Sequence, residues 1–421
     1  MEKEFLDKDI LVIGGGVSGL TTALEAAEAG YRVVLVEKEP FLGGRVARLN
    51  KYYTKLCPPS CGLEINFKRI KKNPNIQCLT LAEVESVSGE EGNYNVAIKV
   101  NPRYVNENCT ACGKCAEVCE IEIENDFNLG MNKTKAAYLP YDAAFPMRYV
   151  LASEVIGTGD AKKCLDACKY DAIDLNMQQE TVNVNVSGIV VASGWEPYDA
   201  TKIDNLGYGK CENVITNVMM ERLAAPNGPT QGKIVRPSDG KEVKNIIFAQ
   251  CAGSRDENHL PYCSGVCCLA SLKQATYLRE QYPESNVTIF YIDVRAIGRF
   301  EDFYQKVASD ENVSLVKGKV AKIEEDPNTK NPIVEVEDTM SGKKIKVEAD
   351  MVVLATGIVP NTSENRIPVD VTYDDFGFVV SDPTKTGIYG AGCAKRPTGV
   401  SQSVQDATGA TLRAIQSTLR R

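Results

Sequence analysis

The sequence contains fifteen cysteines, and four of them stand where a nucleotide-binding chain would place a phosphate loop. Cys251, Cys263, Cys267 and Cys268 follow directly on the apolar run 245–249, with the spacing C-x₁₁-C-x₃-C-C. Thiolates are soft ligands that suit zinc or iron–sulfur clusters. The adjacent pair Cys267 and Cys268 does not fit one regular zinc knuckle, whereas a body with several iron corners accepts neighbouring thiolates. A [4Fe–4S] cluster is therefore expected, with zinc or idle thiols as alternatives. A second set, Cys109, Cys112, Cys115 and Cys119, has the spacing C-x₂-C-x₂-C-x₃-C, which wraps a cubane cluster. A third, Cys164-Leu-Asp-Ala-Cys168, reads as the eroded partner motif, because 154–163 contains no cysteine.

The second and third sets resemble the two halves of a bacterial ferredoxin. In that arrangement the fourth ligand crosses between motifs. The resemblance implies one [4Fe–4S] site from Cys109, Cys112, Cys115 and Cys168, leaving only Cys119 and Cys164 at the other. Four local ligands, with Cys119 in place of Cys168, is the alternative. Two clusters in the whole chain are expected. Cys57 and Cys61, separated by Pro-Pro-Ser, read as a stiff loop near a flavin, with ligation as the alternative. Cys78 and Cys211 read as packing residues, and His259 as an exposed loop histidine rather than a ligand.

The elements that must position these groups begin at Asp9–Ile13, a continuous apolar run of the kind buried in parallel sheets. Gly14-Gly-Gly-Val-Ser-Gly19 follows. Gly14, Gly16 and Gly19 provide the tight turn, the approach of backbone to pyrophosphate and the close helix–strand packing, and Val17 and Ser18 complete the loop. The helix expected over 20–29 turns its free N–H groups toward the phosphates. Glu37 and Lys38 end the next strand, where a carboxylate can accept from a ribose. Gly43-Gly44-Arg45 resembles the corresponding stretch of FAD-binding flavoproteins. Two segments, ending in Ala192-Ser193-Gly194 and in Thr356-Gly357, resemble the strand-to-loop crossings of two-dinucleotide-domain flavoproteins such as thioredoxin reductase. The stretch 387–393 resembles their C-terminal flavin-contacting strand. Cys393 stands where those families usually have Asp, so contact through the backbone of Gly392 and Cys393, or simple packing by the thiol, is expected there.

The expected fold is α/β, a two-dinucleotide-binding-domain flavoprotein with an inserted ferredoxin-like iron–sulfur module. The FAD domain is expected in three parts (1–100, 181–240 and 348–421), the module over 101–180, and an NAD(P)-like, cluster-bearing domain over 241–347. In that last domain a helix is expected over 265–280, a strand over 287–292, and β segments over 314–323 and 333–347. It has no G-x-G-x-x-G, which argues against hydride delivery by NAD(P)H.

Composition narrows the function further. A net charge of −8 without a dense basic run argues against nucleic acid. The charged start, 1–9, lacks an apolar targeting core, and no apolar run approaches the ~20 residues of a membrane span. Clustered cysteines without a secretory signal fit a reducing compartment. A cytoplasmic location is expected. With one histidine in 421 residues, a Ser-His-Asp triad is nearly excluded.

The turn 250–255 with Tyr262-Cys-Ser-Gly-Val-Cys-Cys268 resembles the iron–sulfur motif of the flavoprotein A subunit of heterodisulfide reductase. That resemblance runs over nearly the whole chain, to 391–397. The length, the Leu56-Cys-Pro-Pro-Ser-Cys-Gly62 stretch and the eroded cluster motif are more similar to the A subunit of the quinone-interacting membrane-bound oxidoreductase of sulfate reducers. This implies electron transfer between menaquinol and adenylylsulfate reductase. It also implies attachment to the inner face of the cytoplasmic membrane, through a haem-containing membrane subunit together with a second flavin/iron–sulfur subunit. The alternatives are a flavin-bifurcating heterodisulfide reductase complex and a self-contained NAD(P)H-dependent disulfide reductase using Cys57 and Cys61.

Overall fold

A computed structural model describes residues 6–340, 342–382 and 386–420; the first five residues of the charged start lie outside them. The chain divides into two compact units, the first formed by 1–48, 60–195 and 360–421, the second by 49–59 and 196–359.

The first unit is built on a five-stranded parallel sheet in the order Ile388–Gly390, Gly188–Val191, Ile10–Ile13, Val33–Glu37, Ile76–Thr80. Its central strands are fully buried, as expected of parallel strands covered on both faces. Helix Val17–Glu28 begins three residues earlier than the sequence pattern indicated, directly on the glycine loop. A four-stranded sheet, Leu6–Asp7, Glu180–Val186, Asn93–Val100 and Ala82–Glu90, packs with the first through Val96, Ile98, Val184 and Val186.

The stretch 101–180 lies in this unit as a small body of short elements, among them helices Lys114–Val118 and Gly159–Ala167 and the hairpin Glu122–Glu124 with Lys133–Lys135. Its core contains Val105, Ala136, Ala137, Leu151, Val155, Cys119 and Cys164. Phe41, Phe127 and Tyr141 form an edge-and-stack cluster that ties it to the segment preceding Gly43. Arg103 reinforces the tie by donating to the Pro40 carbonyl and to Thr80 Oγ1 at 2.8 Å.

The second unit holds a seven-stranded sheet in the order Val214–Thr216, Met351–Thr356, Asn245–Ala252, Asn286–Tyr291, Val313–Glu325, Pro332–Asp338, Lys343–Glu348. The first five strands are parallel, and the last two form an antiparallel extension where one segment, 333–347, was expected. The boundaries expected at 240 and 348 fall at about 196 and 359 instead. The reason is pairing: Val214–Thr216 and Asn245–Ala252 flank Met351–Thr356 on either side, which draws both segments into the second sheet.

Segment 49–59 joins this unit through buried polar contacts. Lys273 and Glu221, 2 % and 3 % exposed, form an ion pair at 2.9 Å. Lys273 also donates to the Lys51 carbonyl at 2.7 Å, and the Asn50 N–H donates to Glu221 Oε2 at 3.0 Å. Gln274 and Tyr277 add donors to the same carboxylate at 2.6 and 3.3 Å, so the buried charge is fully surrounded by partners.

Candidate functional site

The glycine loop expected to bind a dinucleotide sits where strand Ile10–Ile13 meets helix Val17–Glu28. The glycines there are required by space as well as by conformation. A Cβ on Gly14, whose φ is +105°, would stand 2.3 Å from the Ala192 carbonyl oxygen, and one on Gly19 would stand 1.8 Å from the carbonyl of Gly14. Gly44 approaches Gly16 so closely that a Cβ would lie 2.9 Å from its Cα. Gly43 is left-handed and its N–H donates to the Gly15 carbonyl at 2.8 Å, which locks the two glycine loops together.

Glu37 is 7 % exposed. It accepts from the N–H groups of Gly15 at 2.6 Å and Glu39 at 2.8 Å. Burial outweighs these donors and pushes its carboxyl up to about 7. Lys38 is exposed beside it. Arg45 lies over the Trp195 ring at 5.6 Å and its Nε donates to the Trp195 carbonyl at 3.2 Å. Ser193 Oγ and Asn361 Oδ1 are buried without a partner, while the Asn361 side-chain N–H donates to the Ser193 carbonyl at 2.6 Å. Two orphaned polar atoms beside a glycine cradle and a buried carboxylate fit a polar dinucleotide. Asn361 was not singled out from sequence; it lies five residues beyond Thr356, with no motif to mark it.

Gly392 and Cys393 lie in a short 3₁₀ turn after Ile388–Gly390. The Gly392 N–H is engaged by Asp406 Oδ2 at 2.9 Å, and Asp406 also pairs with Lys395 at 3.0 Å. The Cys393 thiol is buried and donates to the Thr398 carbonyl at 3.3 Å, which makes it a packed, satisfied group. Burial holds its pKa up. Thr356 and Gly357, expected with the flavin residues, belong to the second unit. There Thr356 Oγ1 donates to Asn217 Oδ1 at 2.9 Å, and Gly357 packs against Ser254 and Ser264.

In the second unit, strand Asn245–Ala252 is irregular where the chemistry begins. Its register with Met351–Thr356 shifts between Ala249 and Ala252, and Cys251 adopts a left-handed φ of 58°. Bulges and left-handed non-glycine residues of this kind re-aim side chains at functional sites. Helix Cys267–Gln281 starts two residues later than expected, so Cys267 and Cys268 open its first turn. All four cysteines line one recess of about 330 Å³, open mouth included, together with Gln250, Arg255, Asp293 and Arg295.

Each of the six thiol pairs is close enough for one negative sulfur to disfavour another. Burial and the neighbouring Cys268 and Cys263 push Cys251 up to about 11, while Arg255 opposes them. Cys267, buried at 8 % exposure, is raised by burial and by the other three thiols. Cys268 is raised by burial, with Cys263 and Asp293 adding to it. Thiols crowded in this way favour a cation that takes up their charge. Among the described residues no three His, Cys, Asp or Glu side chains are grouped to hold a metal ion as they stand. The four sulfurs are instead disposed about the recess. His259 is half-buried rather than exposed, accepts or donates at 2.8 Å with Tyr198 Oη, and does not line the recess. Asp293, missed from sequence, accepts from Arg255 at 2.5 Å and faces Arg295 at 3.6 Å.

In the module, Cys115 is raised to about 12 by burial and by Cys109 and Cys112, both of which lie near it. Tyr149 senses the same three. Cys119 and Cys164 are 2 % and 0 % exposed. Burial, then the charges of Cys119 and Cys115, lift Cys164 to about 12. Its thiol donates to the Cys115 carbonyl at 3.4 Å, and Cys119 donates to the Ile121 carbonyl at 3.6 Å. Cys168 accepts the Ala172 N–H at 3.4 Å. Cys57 falls in segment 49–59 of the second unit and Cys61 opens helix Ser60–Lys72 of the first, both exposed. Cys211 is buried in the second unit's core, and Cys78 is half-buried.

Comparison with known proteins agrees with the flavin site. Residues 9–52 match the family of FAD dependent oxidoreductases. The chain is 42 % identical over 417 residues to an iron–sulfur A subunit (the one numbered 2) of the CoB–CoM heterodisulfide reductase of Methanopyrus kandleri, covering 96 % of this chain and 63 % of that one. It is 37 % identical over 425 residues to the A subunit of the H₂:CoB–CoM heterodisulfide,ferredoxin reductase of Methanothermobacter thermautotrophicus, covering 98 % and 64 %. The chain thus spans a little under two thirds of these relatives. Among solved structures, the thioredoxin reductase of T. acidophilum superposes with a TM-score of 0.55 at 14 % identity, covering 98 % of this chain and 99 % of that one. The Lactococcus lactis enzyme gives 0.55 at 13 %, covering 98 % and 100 %. Over 96–98 % of its length the chain is thus similar to A subunits of heterodisulfide reductases, its first strand, glycine loop and helix match FAD dependent oxidoreductases, and its fold is the α/β fold of thioredoxin reductases.

Proposed function

We propose that this chain is the FAD- and iron–sulfur-bearing electron-transfer subunit of a heterodisulfide-reductase-type complex, with one [4Fe–4S] cluster on Cys251, Cys263, Cys267 and Cys268. A second cluster is assigned to Cys109, Cys112, Cys115 and Cys168. The observation that carries this reading is the recess of the second unit, where four mutually coupled thiols occupy the strand–turn–helix crossing that would otherwise cradle a nucleotide phosphate. FAD exchanges electrons singly or in pairs and a cluster takes one at a time, so the combination links two-electron and one-electron carriers.

The residues divide the work. Glu37 and the paired glycine loops hold the dinucleotide end of FAD. Arg255 and Arg295 bring positive charge to the crowded sulfurs. In the module, the burial of Cys119 and Cys164 as a neighbouring pair leaves Cys168 as the candidate to complete the set with Cys109, Cys112 and Cys115.

The names of the relatives favour a heterodisulfide reductase complex over the quinone-linked role. One names H₂, CoB–CoM heterodisulfide and ferredoxin together, which accords with a flavin that divides electron pairs. Adenylylsulfate reductase and a haem-containing membrane subunit find no counterpart in those names. Among the described residues no helix is long and apolar enough to cross a membrane. The discriminating experiment is anaerobic affinity purification of the chain from its native cells. Co-purification of heterodisulfide-reductase-type partner subunits supports the reading; recovery with a haem-containing membrane subunit overturns it in favour of the quinone-linked role.

A further inference from the structure

Among the described residues, Gln250 is the one uncharged polar side chain of the recess that is deeply buried and left with an unmet hydrogen-bonding group at its amide end. It is 7 % exposed, lines the recess with all four cysteines, and its Oε1 is buried without a partner. It stands at the bulge where the strand loses register, immediately before the left-handed Cys251. An unpartnered buried amide oxygen is rare in native structures and calls for an explanation. The oxygen and nitrogen of a side-chain amide are told apart only by their partners. With electron-rich sulfur in the recess, the amide is best satisfied when its N–H faces inward.

We propose that Gln250 donates a side-chain N–H to a sulfur of the cluster on Cys251, Cys263, Cys267 and Cys268, and thereby raises the reduction potential of that cluster; this rests on the cluster assignment above. Hydrogen bonds to the sulfurs are among the levers that set cluster potentials. Reduction adds an electron to the cluster, so a donor stabilises the reduced form more than the oxidised one. The other groups facing the sulfurs are already engaged. Arg255 pairs with Asp293, Arg295 faces the same carboxylate, and the Gly265 N–H already donates to Cys263 Sγ at 3.3 Å. Gln250 is therefore a positioning residue whose effect is on potential, with no role as a ligand.

The test uses the full chain, loaded anaerobically with iron, sulfide and FAD, and poised at a series of potentials while the reduced cluster is followed by paramagnetic resonance. The signal is assigned by its loss in Cys268→Ala. Gln250→Met keeps the side-chain length and removes the donor; Gln250→Leu is a second variant should the first load poorly. The expected result is an unchanged iron count and a lower potential, so that at the wild-type midpoint the reduced-to-oxidised ratio falls about threefold or more. In deuterated solvent one exchangeable-proton coupling to the cluster is also lost. An unchanged midpoint in a loaded variant overturns the role of Gln250 while leaving the cluster assignment standing. A wild-type signal that survives Cys268→Ala overturns both.

Discussion

The backbone N–H of Gly15 donates to Glu37 Oε2 at 2.6 Å, joining the middle of the glycine loop to the end of the neighbouring strand before any dinucleotide is considered. In the proposed function this contact pre-places the carboxylate for the ribose of FAD. Glu37→Ala removes an acceptor in the class of charge-assisted hydrogen bonds, worth about 1.5–3 kcal/mol. FAD affinity is expected to fall roughly ten- to a hundredfold, measured by flavin fluorescence on dilution of the holoprotein.

The same residue sets a pH dependence in the flavin-free chain. Its carboxyl is raised from 4.5 to about 7 by burial, so between those values the folded state binds a proton that the unfolded state has released. The contribution of Glu37 to stability is therefore fully present at low pH and is lost as pH rises through about 7. Thermal melts of flavin-free wild type and Glu37→Gln over this range are expected to converge at the acidic end in slope, with only the wild type losing stability toward neutrality from this group. Parallel curves would contradict the assignment.

Lys273 and Glu221 form a buried, fully partnered ion pair. Removing one member leaves the other charged in a dry site, a loss of about 3–5 kcal/mol. Lys273→Met should lower the denaturant midpoint of the second unit accordingly, and the double change Lys273→Met with Glu221→Leu should recover much of it. Release of segment 49–59, read as faster proteolysis near Lys51, is expected in the single variant.

The module offers a choice between two fourth ligands that substitution can decide. Cys119 is buried beside Cys164, whereas Cys168 stands in the partly buried layer with Cys109 and Cys115. Cys168→Ser should abolish the module's cluster signal, and Cys119→Ser should retain it. The reverse pattern would establish the four local ligands.

The parts legible in the sequence are those fixed by local pattern. The continuous apolar runs at 10–13 and 189–191 and the glycines at 14, 16 and 19 determine the parallel strands and the first loop, and the cysteine spacings mark both sulfur-rich sites. What escaped notice depends on contacts distant in the chain. Val214–Thr216 is three residues long and acquires its meaning only by pairing with Met351–Thr356. Segment 49–59 belongs to the second unit because Lys273 and Glu221, more than 160 residues away, capture its backbone. Gln250 follows an ordinary apolar run, and its burial at the recess follows from a bulge that periodicity does not encode. Asp406, fourteen residues on from Gly392, accepts from its N–H, a contact that no local pattern marks.

The account stands or falls on the sulfur-lined recess. The most direct measurement is the count of iron, acid-labile sulfide and FAD in the anaerobically loaded chain and in Cys268→Ala. The account predicts that FAD is retained and that iron and sulfide each fall by about four atoms per chain, the content of one [4Fe–4S] cluster. Iron and sulfide contents unchanged by that substitution would contradict it.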